Sequence, residues 1–161
     1  MEPPQDSAKP VEPPRGIYTS RVDDKGRLKL PRDFERFLRT FDEQQLFITT
    51  TDGDTARVYP IQQWRQNERI FQGHTQNPKA AARVAFLADY WGAMSEVDAQ
   101  GRVLIPPGLR RKLAIENQPV YVRFYNGAVD VYSEAVSEKR LQSATETLPA
   151  DLEELQKVGL T

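Results

Sequence analysis

Two arginines, Arg27 and Arg102, each stand directly after a glycine. They lie 75 positions apart in phrases that echo one another, VDDKGRLKLP over 22–31 and VDAQGRVLIP over 97–106, with five of the ten positions identical. A guanidinium is a planar fork of donors that can grip a phosphate or the O6/N7 edge of guanine. The same fork can fold back on the aspartate four residues earlier, Asp23 or Asp98, as a surface ion pair contributing about 0–1 kcal/mol. The residues alone leave these two uses open.

The rest of each phrase reads as scaffold. An aspartate opening a turn accepts backbone hydrogen bonds, and a glycine three residues on can take the left-handed conformation. Strand–D-x-x-G–strand is therefore a hairpin connection built from a type I turn and a bulge. On this reading Asp23, Gly26, Asp98 and Gly101 are structural, and Pro31 and Pro106 stop the second strand and help to start a helix. The turn itself requires neither arginine. Around the first copy cluster Arg21, Lys25 and Lys29; around the second lie Gln100, Arg110, Arg111 and Lys112, with Gln100 in the place of Lys25. Gln bonds a base or phosphate without charge, and a two-stranded ribbon fits the major groove.

These turns need elements to carry them, and the chain spells the same plan twice. GIYTSRV and RLKL alternate as strands; PRDFERFLRTF places Phe34, Phe37, Leu38 and Phe41 on one helical face. QLFITT and ARVYP flank the turn TDGDT, and IQQWRQNERIF follows as a helix with Ile61, Trp64 and Phe71 on one side. A helix starting at Pro78 aligns Ala80, Val84, Leu87 and Trp91 as a bridge between the halves. AMSEV, RVLIP, PGLRRKLAI, a VYVRFY–NG–AVDVY hairpin and the helix SEAVSEKRLQSA then repeat the plan, Asn126-Gly127 being a strong two-residue turn signal. The predicted divisions are a Pro-rich arm over 1–14, a first module over 15–74, a bridging helix over 75–92, a second module over 93–144 and an acidic tail over 145–161. The tail has weak periodicity, compatible with a short helix over 150–157 or with none.

Composition narrows the classes of function. At 161 residues, 39% hydrophobic and a mean hydropathy of −0.64, the chain predicts small cores. Modules of roughly 60–70 residues lean on partners for stability. There is no cysteine, hence no disulfide or thiol chemistry, and no apolar run approaches a membrane span. The expectation is a soluble cytoplasmic protein with no cofactor, no metal and no membrane partner. Catalysis lacks a constellation: His74 sits alone in the polar loop QGHTQNP, and TDGDT copies only part of a calcium loop. The chain is therefore read as no enzyme, without catalytic residues or a small-molecule substrate. The net charge of −1 hides a polarised chain, with eight bases against four acids over 15–39 and seven acids against three bases over 130–157.

The paired DDKGR and DAQGR, each continued as G-R-hydrophobic-x-hydrophobic-P, resemble the D-x-x-x-R signatures of the MraZ family. The resemblance runs from Gly16 to Ala144, through RVYPIQQW, the alanine-rich helix and VDAQGRVLIPPGLR. It implies an α+β, mainly β fold of tandem swapped-hairpin SpoVT/AbrB-like half-barrels interleaved within one chain, with flanking short helices. It further implies a DNA-binding transcriptional regulator, usually a repressor. Such a regulator assembles into a ring-shaped homo-oligomer, associates with the nucleoid, and binds short direct repeats in double-stranded DNA at the promoter of the division and cell-wall gene cluster. By position, Arg27 and Arg102 become the DNA-contacting arginines, with Lys25, Gln100, Arg21 and Lys29 beside them. A competing reading is an antitoxin-like relative whose AbrB-type barrel holds a protein partner, although such relatives usually carry one barrel half and a long tail.

Overall fold

Past the turn, the two strands of each repeated phrase part company. The computed structural model describes residues 10–74 and 76–161. In it β1 (Ile17–Arg21) and β2 (Arg27–Lys29) are bridged only at Val22 and Leu28. β1 instead runs antiparallel to β7 (Pro119–Tyr125), from Ile17 opposite Arg123 to Arg21 opposite Pro119. β2 pairs with β6 (Arg102–Leu104), placing Leu28 opposite Val103. In the second phrase, β5 (Ala93–Ser95) pairs with β3 (Leu46–Thr49). The expected hairpins are thus corrected to hairpin tips whose strands enter different sheets. Burial explains the choice: Leu28, Leu30, Val103 and Ile105 are each no more than 1% exposed, so pairing β2 with β6 sets both repeats over one core.

With β4 (Ala56–Pro60) and β8 (Ala128–Tyr132) the large sheet has six antiparallel strands in the order β1-β7-β8-β4-β3-β5. Corresponding strands of the two repeats occupy mirrored places in that order, as they do in the β2-β6 ribbon. The β7–β8 turn forms as predicted, with Asn126 at φ 47° and Gly127 at φ 79°, the two positive φ values that a tight right-twisted hairpin requires. Alternation along the strands separates two faces. Val58, Val129 and Val131 point into the main core with Val22, Phe34 and Leu109. Arg57, Tyr59 and Asp130 fall on the other face.

Helices pack against the strands. Pro31 and Pro106 cap α1 (Arg32–Leu38) and α4 (Pro107–Leu113), which bury Phe34, Phe37 and Leu38, and Leu109 and Leu113. α2 (Ile61–Gly73) follows β4 directly and stacks Trp64 against Phe47 and Tyr59, at ring distances of 4.7 and 4.9 Å. In α3 (Pro78–Trp91) the packed stripe is not the expected one. Ala81 and Ala88 are buried, whereas Val84 and Leu87 are 38% and 52% exposed, because small side chains let the helix lie close to β3. α5 (Glu134–Glu146) is capped by Ser133, and α6 (Leu148–Gln156) gives the tail a helix.

Helices hold more of the described residues than strands do, so the fold is α+β without the expected predominance of β. α2, α3 and α5, of 13 or 14 residues each, supply most of the helix. Of the Pro-rich arm, residues 1–9 lie outside the described residues, and Pro10–Arg15 form no helix or strand.

Candidate nucleic-acid interface

Both tips are built by one hydrogen-bond set. In the first, the Asp23 amide donates to the Arg27 carbonyl at 2.9 Å and the Gly26 amide to the Asp23 carbonyl at 3.0 Å. Asp23 Oδ1 accepts from the amides of Lys25 at 3.0 Å and Arg27 at 2.8 Å. In the second, Asp98 Oδ1 accepts from the amides of Gln100 and Arg102, both at 2.9 Å. Gly26 at φ 83° and Gly101 at φ 76° take the left-handed conformation the bulge needs. The structural reading of these four residues therefore has a geometric basis at each tip.

The arginines pair back to the same carboxylates. Arg27 Nε donates to Asp23 Oδ2 at 2.9 Å, and Arg102 Nε lies 3.4 Å from Asp98 Oδ2, buried but out of hydrogen-bond alignment. The contact is made through Nε, at the side of the guanidinium. The terminal nitrogens of Arg27 make no hydrogen bond among the described residues, whereas Arg102 Nη2 donates to Gln100 Oε1. The carboxylate therefore orients each guanidinium without using its outer pair of donors, the pair that makes bidentate contacts.

Strand register sets where these groups face. Arg27 lies opposite Leu104 and Lys29 opposite Arg102, so all four share one face of the β2-β6 ribbon while Leu28 and Val103 fill the core behind it. Like charges held directly opposite destabilise a ribbon. Here Lys29 Nζ is drawn to the Gln100 main-chain carbonyl. Lys25 is exposed at the first tip, its ammonium unbonded among the described residues. Arg21 is not part of the ribbon: it ends β1 in the large sheet and donates to the carbonyl and side-chain oxygens of Asn117, at 2.9 and 3.1 Å. Five of the six expected contact residues thus come together, and Arg21 stands apart.

Glu35 was not singled out by sequence, and Arg110 was placed beside the second phrase rather than the first. Each tip rests on the other repeat's helix: a Cβ on Gly26 would strike the Arg110 guanidinium, and one on Gly101 the Glu35 carboxylate. Arg39 joins the second tip, donating to the Asp98 carbonyl at 2.9 Å and to Glu35 at 3.0 Å. The 75-residue offset that aligns the phrases also aligns Glu35 with Arg110 and was the available signal; that each serves the opposite phrase follows only from strand exchange.

Comparison with known proteins resolves the family. The transcriptional regulator MraZ of Acidobacterium capsulatum is 44% identical over 109 residues, which cover 66% of this chain and 73% of that protein. The MraZ of Koribacter versatilis is 34% identical over 111 residues, 68% of this chain and 76% of its own length. The chain belongs to the MraZ family of transcriptional regulators. A further MraZ, from Methylococcus capsulatus, is 30% identical over 145 residues and spans 90% of this chain, so the relationship includes both repeats. No family model matches the chain. As an MraZ-family protein it is a transcriptional regulator, and among its described residues no helix is long and apolar enough to cross a membrane.

The tips of this MraZ-family chain have a predictable acid response. The Arg27 amide's hydrogen bond, aided by the Arg27 side chain and the Lys25 amide, outweighs the upward push of desolvation and holds Asp23 below its ordinary 3.8. The amides of Arg102 and Gln100 do the same for Asp98. A carboxyl with a depressed folded pKa contributes stability above its unfolded value, and that contribution is lost as pH falls through the folded one. The double variant Asp23→Asn/Asp98→Asn is expected to melt below the native chain at pH 7, with the gap closing as the pH falls below 3.8. A gap that stays constant in thermal scans across that range would remove the carboxylates from the account.

Proposed function

We propose that the outward face of the β2-β6 ribbon reads double-stranded DNA, with Arg27 and Arg102 as its base-contacting forks. One observation carries this reading: both arginines lie on one ribbon face, Arg27 hydrogen-bonded at Nε to Asp23 and Arg102 Nε 3.4 Å from Asp98, so neither aspartate takes up the terminal nitrogens. Lys25, Lys29 and Gln100 surround them and supply phosphate or base contacts. Arg21, fixed on Asn117, steadies the sheet instead. Two-stranded ribbons enter the major groove, and a guanidinium there can discriminate a base pair by about 1–3 kcal/mol.

In this reading the two modules, 15–74 and 93–144 joined across 75–92, form interleaved swapped-hairpin half-barrels of the SpoVT/AbrB kind. The reciprocal pairing of β1 with β7, β5 with β3 and β2 with β6 supports that arrangement. Copies of the chain assemble into a ring, and each contributes one ribbon. A single ribbon binds weakly, whereas several held at fixed spacing gain by effective concentration, so short direct repeats are selected over isolated sites. The regulated promoter is that of the division and cell-wall gene cluster, and occupancy represses it on the nucleoid, within the cytoplasm.

The test is unbiased selection of duplex DNA by the purified chain. Enrichment of a short sequence repeated at constant spacing is the expected result; a pool that stays random at physiological salt sinks the proposal. Lys25 allows a finer check. As a phosphate contact, its replacement in Lys25→Ala should weaken all sequences alike and reduce the slope of log affinity against log salt by about 1. Titration at several salt concentrations measures that slope, and an unchanged value would take Lys25 out of the interface.

A further inference from the structure

α3 packs on its own chain through alanines and leaves its large apolar side chains in water. Ala81 and Ala88 are buried against the sheet, while Phe86, Leu87 and Tyr90 are 66%, 52% and 66% exposed. At its C-terminal end this surface runs into a cleft of about 580 Å³ between α3 and α4, floored by Trp91, Gly108 and Leu109. The rim is basic. Arg111 and Lys112 line it, Lys112 Nζ lies 5.1 Å from the Trp91 ring centre, and α4 carries three bases and no acid.

The opposite surface lies at the other end of the chain. α5 and α6 bury no residue. Leu148, Leu152 and Leu155 are spaced at helical intervals along one stripe of α6 and are 47%, 38% and 51% exposed, and Leu141 on α5 is 70% exposed. From Leu141 to Gln156 the sequence has four acids and no base. Helices this short are marginal in water without tertiary packing, so a leucine stripe of this length needs a partner.

We propose that α6 of one copy, with the end of α5, docks in the α3–α4 cleft of the next copy. Leucines would cover Trp91 and Leu87 while Asp151 and Glu154 face Arg111 and Lys112. Every chain carries one such acidic apolar helix and one such basic apolar cleft, and the two are different surfaces. Their contact is therefore head-to-tail, which propagates until rotation closes a ring. The inference rests on the ring reading above and names the surfaces that form it.

A charge exchange tests the occupant directly. All four rim and helix charges are exposed, so Arg111→Glu/Lys112→Glu in one full-length chain and Asp151→Lys/Glu154→Lys in another should fold as the native chain does, checked by circular dichroism. Sedimentation equilibrium should find each variant alone roughly a hundredfold weaker in self-association, because like charges meet at every contact. An equimolar mixture should recover the native assembly, since each variant's helix then matches the other's cleft. Variants that assemble like the native chain, or a mixture no better than its components, overturn this contact alone. A native chain that sediments as a monomer overturns the ring reading and this contact together.

Discussion

Replacement of both Arg27 and Arg102 by alanine is expected to lower affinity for the selected repeat by roughly a hundredfold or more, at about 1–3 kcal/mol for each bidentate contact. Affinity for unrelated duplex should fall far less, because phosphate contacts from Lys25 and Lys29 remain. The fold should scarcely notice. The two ion pairs are partly exposed, with arginine side chains at 32% and 25% exposure, and pairs at the surface contribute about 0–1 kcal/mol. That difference in magnitude separates the two uses the residues leave open. A structural arginine would register in the melting temperature and not in binding; a reading arginine does the reverse. Arg27→Lys/Arg102→Lys sharpens the comparison, because a point charge retains salt-dependent binding but loses the fork that distinguishes guanine. Fluorescence anisotropy against selected and scrambled fragments makes the measurement, and undiminished affinity of the alanine variant in an intact assembly would end the proposal.

The largest effect on stability is expected at Asp130. Cross-strand register sets it between Arg57 on β4 and Arg123 on β7, on the sheet face away from the main core. Arg57 Nε donates to Asp130 Oδ1 at 2.7 Å and Nη1 to the Tyr59 hydroxyl at 2.8 Å, and the pair's side chains are 15% and 7% exposed. Burial pushes the Asp130 carboxyl up against the downward pull of Arg57, so the intact pair is close to break-even while losing one member is costly. Asp130→Ala leaves the Arg57 guanidinium, 15% exposed beside a cavity of about 350 Å³, without its carboxylate and should cost toward the lower end of about 3–5 kcal/mol. Asp130→Leu combined with Arg57→Met removes both charges at similar volume and should regain much of that loss. Urea unfolding of the three chains decides it: a single-variant cost below about 1 kcal/mol would mean that water reaches Arg57 freely.

Much of the candidate site was legible because its chemistry is local. D-x-x-G followed by arginine closes within five residues, and the observed hydrogen bonds of Asp23 and Asp98 are the ones that spacing implies. The Asn126-Gly127 hairpin and the buried faces of α1 and α2 followed from turn preference and helical period alone. Arg21 stands apart from the ribbon because its neighbourhood in sequence is not its neighbourhood in space. It is six residues from Arg27, yet β1 belongs to another sheet and Asn117 holds its side chain. α3 misled for a different reason. Periodicity finds an apolar stripe but does not say what covers it, and here the alanines meet the sheet while Val84 and Leu87 are left uncovered by their own chain.

By itself, then, the sequence of this MraZ-family chain determined the doubled plan, the two tips, the aspartates that shape them and the order of strands and helices. Each of these depends on interactions across a few bonds, which residue type and spacing specify. Only the tertiary structure decided that β2 pairs with β6, that each tip leans on the other repeat's helix, and that both arginines consequently share one face. Strand pairing is a competition among distant partners. It is settled by how Leu28, Leu30, Val103 and Ile105 are buried together, and no single segment encodes that outcome.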